Sequence, residues 1–594
     1  MDISSKINRL RQSMKDRNVD VYIVPSADFH QSEYVGEYFK SREYITGFTG
    51  SAGTAVISQN YAGLWTDGRY FIQAEKELEG TGIKLNKVGL SGTISIVDFI
   101  RSTISNNGTL AFDGRVVSYA DGVHYEKLLS SKNIHIKYNE DLIDTIWVQR
   151  PSMPNDPIYL LPDDYSGESR LSKIQRVQKE LKQLGATSHL LSSLDDIAWL
   201  LNIRGNDIQY SPIALCYLWM SLDEVHLFID ENKLSTDMKN EFYSESIFIH
   251  PYNDIFQFMF ESDSSNSLLI DSSKISYSLY HSIPEKTTII DHSNPTTIMK
   301  AQKNEIEIEN TKNAHLKDAI AHTKFLYWLK TNYKSINITE MDAASKLEQL
   351  RSEQDLFISP SFETISAFGP HAAMCHYSTS HETNVVLNEN SLYLVDSGGH
   401  YLDGTTDITR TIALGEISSE LKSDYTNVLR GNLALSNAKF LYGCTGENID
   451  ILARQFLWNH NQDYLHGTGH GVGNLLSVHE GPCSIKWRYR GTPIPLENGM
   501  ILSNEPGIYI ENSHGIRLEN ELLVRKGVSN EYGQFMHFET LTYVPFDLDA
   551  IDENLLSAKE KHQLNAYHKK VYNLVSPYLN SDEKQWLETY TREI

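Results

Sequence analysis

Between Leu394 and Asn520 five short motifs set acidic or imidazole side chains at the ends of, or just after, short apolar runs. They are Leu394-Val-Asp-Ser-Gly398, Asp403-Gly-Thr-Thr-Asp-Ile-Thr-Arg-Thr411, His466-Gly-Thr-Gly-His-Gly471, Ser503-Asn-Glu-Pro-Gly507 and Gly515-Ile-Arg-Leu-Glu-Asn520. Asp396 ends an apolar strand, where an uncompensated charge costs several kcal/mol. Asp407 follows eleven residues later, beyond a Gly-bearing turn, and a hairpin can bring the two face to face. Glu505 precedes Pro-Gly at the end of another apolar run, and Glu519 follows the alternation Ile516-Arg-Leu-Glu. Four carboxylates aimed inward from strand ends repel one another. Divalent cations are the simplest neutralising partners. With His470 the donor set is mixed oxygen and nitrogen, which suits Mn²⁺, Co²⁺ or Zn²⁺. Singly, each residue has an ordinary reading: a turn or cap for the aspartates, a packed or surface histidine for His470, a turn for Glu-Pro-Gly. The joint pattern requires all of those readings to hold at once.

The rest of the chain is organised around two turn-rich, Pro-bearing stretches, Gln149–Pro157 and Asp291–Pro295, which read as linkers. At 594 residues, roughly three to five domains are expected from length alone. The expected boundaries are 1–155, 156–297 and 298–594. The first two pieces resemble copies of one α/β unit. Each opens with an amphipathic helix; in the second, Leu171, Ile174, Val177, Leu181 and Leu184 share one face. Each helix leads to a short apolar strand, Val21–Val24 and His189–Leu191. The third piece opens with a charged helix around Asn304–Lys330. After Phe362 it turns into short strands of a mostly antiparallel sheet, and from Leu555 it ends in two helices broken near Pro577.

Charge narrows the partners. The chain has 53 basic and 77 acidic residues, a net charge of −24, which repels phosphate backbones and anionic bilayers. Neither nucleic acid nor membrane is an expected partner. Four cysteines without a CxxC pair suit a reducing compartment, and the N-terminus carries no apolar signal segment. A cytoplasmic protein is expected.

In this order and spacing, the motifs resemble the pita-bread metallopeptidases, the group of aminopeptidase P, prolidase and methionine aminopeptidase. That resemblance implies metal ligands at Asp396, Asp407, His470, Glu505 and Glu519. It implies an α/β (α+β) chain: two creatinase-like N-terminal α/β domains, then a pseudo-symmetric pita-bread catalytic domain. Gly369-Pro-His-Ala-Ala-Met-Cys-His-Tyr377, His466 and Val478-His-Glu-Gly-Pro482 are similar to the aminopeptidase P branch, as are Ile23–Asp28, Gly47–Gly53 and Trp65–Tyr70 to its three-domain type.

By the resemblance His376, His466 and His479 line the site and Arg517 braces it. The implied activity is removal of an N-terminal residue from peptides with proline second, with two divalent ions, Mn²⁺ first among them, bridged by Asp407 and Glu519. His479 is expected to stabilise the oxyanion, Glu505 to shuttle a proton to the proline nitrogen, and His376 to position substrate. The resemblance also implies a homodimer. Phe368–Tyr377 are candidates for the proline pocket wall. Arg69 and Tyr70 are read first as a salt-bridged arginine and a packed tyrosine. Two other readings share the motifs: a prolidase confined to dipeptides, and a catalytically dead binding module, which would have lost ligands that this chain keeps.

Overall fold

The computed structural model describes residues 2–263, 265, 267–488 and 493–594. The chain forms two compact units, Met1–Leu161 with Glu168–Thr297, and Pro162–Gly167 with Ile298–Ile594.

The first unit contains two six-stranded sheets. One runs in the order Lys84–Lys87, Ala62–Thr66, Thr54–Ser58, Val21–Pro25, Thr109–Phe112, His135–Lys137. The other runs Ile247–His250, Val225–Ile229, Cys216–Ser221, Ser188–Leu191, Ser267–Ile270, Thr288–Asp291. Read in these orders, both sheets pair parallel, antiparallel, antiparallel, parallel, parallel. The faint repeat in the sequence is thus a repeat of topology. The helix Arg170–Leu184 buries Ile174, Val177 and Leu181, but Leu171 is exposed and Leu184 only half-buried, so its apolar face is narrower than the spacing suggests. Arg69 forks onto Asp67, and the buried Tyr70 bonds Ser51 through its hydroxyl, as a salt-bridged arginine and a packed tyrosine should.

In the second unit every strand pair is antiparallel. The helix Glu305–Asn332 starts on a capping box between Asn304 and Glu307, which satisfies amides the first turn leaves open. It buries Phe325, Leu326 and Leu329 against Tyr393, Val395 and Ile412. Two sheets carry the acidic motifs. A three-stranded one has Ser391–Ser397 between Ile365–Phe368 and Ile408–Leu414. A six-stranded one includes Gly469–Gly471, Ile501–Asn504 and Asn520–Asn530. The tail forms the helices Ala558–Val575 and Ser581–Tyr590, separated at Ser576–Tyr578. None of the four cysteines is in a disulfide. Among the described residues no helix is long and apolar enough to cross a membrane.

Candidate metal centre and active site

The hairpin forms as its spacing requires. Asp396 pairs with Thr409 across the strands Ser391–Ser397 and Ile408–Leu414. Asp407 lies two residues from Thr409, so alternation sets the two aspartates diagonally on one face. Glu505 directly follows the strand Ile501–Asn504, and Glu519 directly precedes Asn520–Asn530, which pairs with it. Backbone bonds hold both glutamates: Glu505 N–H donates to the Thr468 carbonyl at 2.8 Å, and Glu519 N–H to that of Thr409 at 3.1 Å. One buried amide ties the two together. Asn432 Nδ2 donates to the carbonyls of Asn504 at 3.0 Å and Leu518 at 2.9 Å, the residue before each glutamate.

His470 enters from the next strand, where Gly469 is needed for room. A Cβ there would lie 1.9 Å from the Ser503 carbonyl oxygen. His470 Nε2 is 3.5 Å from Asp407 Oδ2 and 3.5 Å from Glu505 Oε1. Asp407, His470 and Glu519 each offer a donor atom within 4.8 Å of the other two. Ser503 links His470 to Glu505, accepting from His470 N–H at 3.0 Å and donating to Glu505 at 3.3 Å. Thr409 donates to Glu519 Oε2 at 2.7 Å.

The electrostatics ask for cations. Burial, then the neighbouring Glu519, Asp396 and Glu505 charges, drives the Asp407 carboxyl well above its ordinary range. Burial, then Glu505 and Asp396, does the same to Glu519. Burial pushes Glu505 up to about 7 against the pull of Arg517. Asp396 Oδ1 and Asp407 Oδ1 are buried with no hydrogen-bond partner among the described residues. Buried carboxylate oxygens rarely stay unpartnered. Outward-facing lone pairs on a converging oxygen and nitrogen donor set fit a divalent metal pair.

The flanking residues divide into tethered and half-open groups. Arg517 donates from Nη2 to Asp396 Oδ2 at 2.5 Å and from Nη1 to the Tyr509 hydroxyl at 2.7 Å. That hydroxyl is also 2.8 Å from His466 Nε2, while His466 Nδ1 faces the Gly467 carbonyl at 2.7 Å. A carbonyl only accepts, so Nδ1 carries the proton and Nε2 accepts from Tyr509. His479 stands perpendicular to His470, ring centroids 4.3 Å apart. His376 sits half-buried in the turn after Gly369–Ala373. Tyr377 is 6% exposed and packed with Ala367, Ala372 and Leu394, so its ring belongs to the core rather than to an open pocket wall.

The sequence reading passed over Tyr509, Thr409, Ser503, Asn432 and Arg410. Arg410 is fully buried; it donates to the Glu519 carbonyl at 2.5 Å and to the Tyr567 hydroxyl at 3.0 Å. Thr409 and Arg410 lie inside the Asp403–Thr411 motif, where three successive polar residues, Thr409-Arg-Thr411, in a strand with apolar ends were the available signal.

A carboxylate-rich donor cage on antiparallel strands defines a metallohydrolase, and the comparisons with known proteins specify which kind. Residues 309–526 match metallopeptidase family M24 and 534–594 the C-terminal region of that peptidase. Residues 6–145 and 149–307 each match a creatinase/prolidase N-terminal domain. Xaa-Pro aminopeptidase 1 of Dictyostelium discoideum is 38% identical, the match covering 100% of this chain and 97% of that one. Aminopeptidase P2 of Arabidopsis thaliana is 39% identical, covering 100% and 89%. The crystal structure of X-prolyl aminopeptidase from Caenorhabditis elegans, described as a cytosolic enzyme with a di-nuclear active site, superposes with a TM-score of 0.96 at 33% identity, covering 100% of each chain. The chain belongs to the Xaa-Pro aminopeptidase family of M24 metallopeptidases.

Proposed function

We infer that this chain is a metal-dependent aminopeptidase that cleaves the bond between an N-terminal residue and a following proline. The observation that carries the reading is the convergence of Asp407, His470 and Glu519 donor atoms within 4.8 Å. Asp396 and Glu505 complete a five-residue donor set for two divalent ions. When bound, such a pair activates water as a nucleophile and polarises the scissile carbonyl. We assign Mn²⁺ on the oxygen-rich donors.

The chain's own residues divide the remaining work. His479, beside His470, donates a hydrogen bond to the developing oxyanion. A peptide bond to proline is a tertiary amide without an N–H, so the leaving nitrogen must receive a proton. Glu505, between His470 and His466, would take the proton that the attacking water gives up and pass it to that nitrogen. His376 contacts substrate from its half-buried turn. Arg517 holds Asp396 in place, and Tyr509 holds His466 in one tautomer. Phe368, half-buried beside that turn, is the remaining aromatic candidate for the proline ring.

Three domains, 1–155, 156–297 and 298–594, fit the two six-stranded sheets and the all-antiparallel pairing of the third piece. Cysteines outside any disulfide support a reducing, cytoplasmic setting. We further propose a homodimer, on the family resemblance. The deciding experiment is hydrolysis of Xaa-Pro-Yaa tripeptides and Xaa-Pro dipeptides with added Mn²⁺, Co²⁺ or Zn²⁺ and with EDTA. Release of the first residue from tripeptides, abolished by EDTA, is expected. Cleavage of dipeptides alone would replace this reading with a prolidase.

A further inference from the structure

One buried carboxylate lies outside the metal donors and binds the segment that carries His376. Glu340 opens the helix Glu340–Ser352 and is fully buried. Its Oε1 accepts from Phe368 N–H at 2.7 Å and stands 2.9 Å from His371 Nδ1. Its Oε2 accepts from the Tyr377 hydroxyl at 3.2 Å. Its backbone carbonyl accepts from Ser366 Oγ at 2.6 Å. Residues 368, 371 and 377 bracket the turn at 374–376, so one side chain holds both ends of it. The His371 and Tyr377 rings also pack on each other, centroids 4.7 Å apart.

The opposite side of the loop is equally constrained. The Ala372 carbonyl oxygen would lie 1.8 Å from a Cβ on Gly515, so the loop rests on bare backbone there. Gly515 shares the strand His514–Arg517 with Arg517. Burying a carboxylate costs several kcal/mol unless donors satisfy it, and here the donors come from the His376 loop.

We propose that Glu340 is a positioning residue whose carboxylate, bonded to Phe368, His371 and Tyr377, fixes the 369–377 loop and so aims His376 at the substrate. The proposal rests on the reading of His376 as a substrate-contacting residue. A residue acting through another shows non-additivity in a double-mutant cycle.

The test compares full-length wild type, Glu340→Ala, His376→Ala and the double variant, loaded with Mn²⁺, on one Xaa-Pro-Yaa peptide. Bound metal is measured in each. Glu340→Ala is expected to lower kcat/KM by about tenfold with metal content unchanged. The double variant is expected to match His376→Ala within about twofold. Glu340→Gln keeps an acceptor for Phe368 N–H and is expected to recover part of the loss. If Glu340→Ala does not fold, Glu340→Gln alone and with His376→Ala carries the same comparison. Losses that multiply in the double variant, or wild-type activity in the Glu340 variants beside an impaired His376→Ala, overturn the positioning role alone. Wild-type activity in His376→Ala overturns the reading of His376 and this inference with it.

Discussion

Arg517 and Asp396 meet at 2.5 Å, Nη2 to Oδ2, with both side chains almost wholly buried. The same guanidinium reaches Tyr509 at 2.7 Å and Thr409 at 3.2 Å. One cation therefore orients a proposed metal ligand, the phenol that tethers His466, and the hydroxyl that binds Glu519. Three different nitrogens of the arginine fork make these bonds; a lysine has its three donors on one atom and cannot span the same separated acceptors. Arg517→Lys is expected to lower kcat by roughly 10- to 100-fold, with a smaller change in KM. Steady-state kinetics on an Xaa-Pro-Yaa peptide measures it. Unchanged kcat would mean that the fork is not needed.

Tyr509 is expected to act mainly through His466, because Arg517, which also donates to its hydroxyl, keeps Asp396 and Thr409 as partners without it. Its hydroxyl donates to Nε2 and holds the ring in the Nδ1–H tautomer. Tyr509→Phe removes that bond and leaves the ring packing of the two residues, centroids 5.4 Å apart, in place. A lost hydrogen bond of this kind is worth about 1–1.5 kcal/mol, so activity should fall by about tenfold. Thermal stability should barely move. In a double variant with His466→Ala the Tyr509 change should cost nothing further; an additional tenfold loss there would refute the tether.

The proposed metal donors should oppose folding when metal is removed. Asp407, Glu505 and Glu519 are all pushed upward by burial and, chiefly for Asp407 and Glu519, by one another. Chelation is therefore expected to lower the melting temperature at neutral pH. Asp407→Asn and Glu519→Gln remove one repelling charge each. Each should melt higher than wild type after chelation, and lower than wild type with Mn²⁺ in excess. Differential scanning calorimetry with and without EDTA separates these effects. A stripped wild type that outlasts both variants would show that the carboxylates are compensated within the chain.

The five proposed donors could be picked out in the sequence because an inward charge at a strand end demands a partner whatever the fold, and Asp396 with Asp407 lay within hairpin range. The residues that aim them were not. Tyr509 meets His466 across 43 positions, and Asn432 meets Leu518 across 86, with nothing local to connect them. Tyr377 misled for the opposite reason. Its place beside His376 suggested a pocket wall, but its ring is buried and its hydroxyl is bonded to the buried Glu340 and to Thr383 at the surface. Leu171 fits its helical face by spacing yet stays exposed, since periodicity marks a face and not how far a neighbour covers it.

His568 should give the protein an acid-sensitive limb unrelated to catalysis. The ring is wholly buried; Nε2 accepts from Phe546 N–H at 3.1 Å, and Nδ1 has no hydrogen-bond partner. Burial, reinforced by the Arg410 and Arg592 charges, lowers its pKa to about 3. The unfolded chain binds a proton at this residue near pH 6.5, but the folded chain does not until about pH 3. The unfolded state thus holds more protons throughout that window. Stability is complete above about pH 6.5 and falls by up to about 1.4 kcal/mol per pH unit below it. His568→Gln keeps an acceptor for Phe546 N–H and removes the titration. In urea unfolding, the stability lost between pH 7.5 and pH 5 should be about 2 kcal/mol smaller in the variant than in wild type. Equal losses in the two proteins would place the acid sensitivity on other groups.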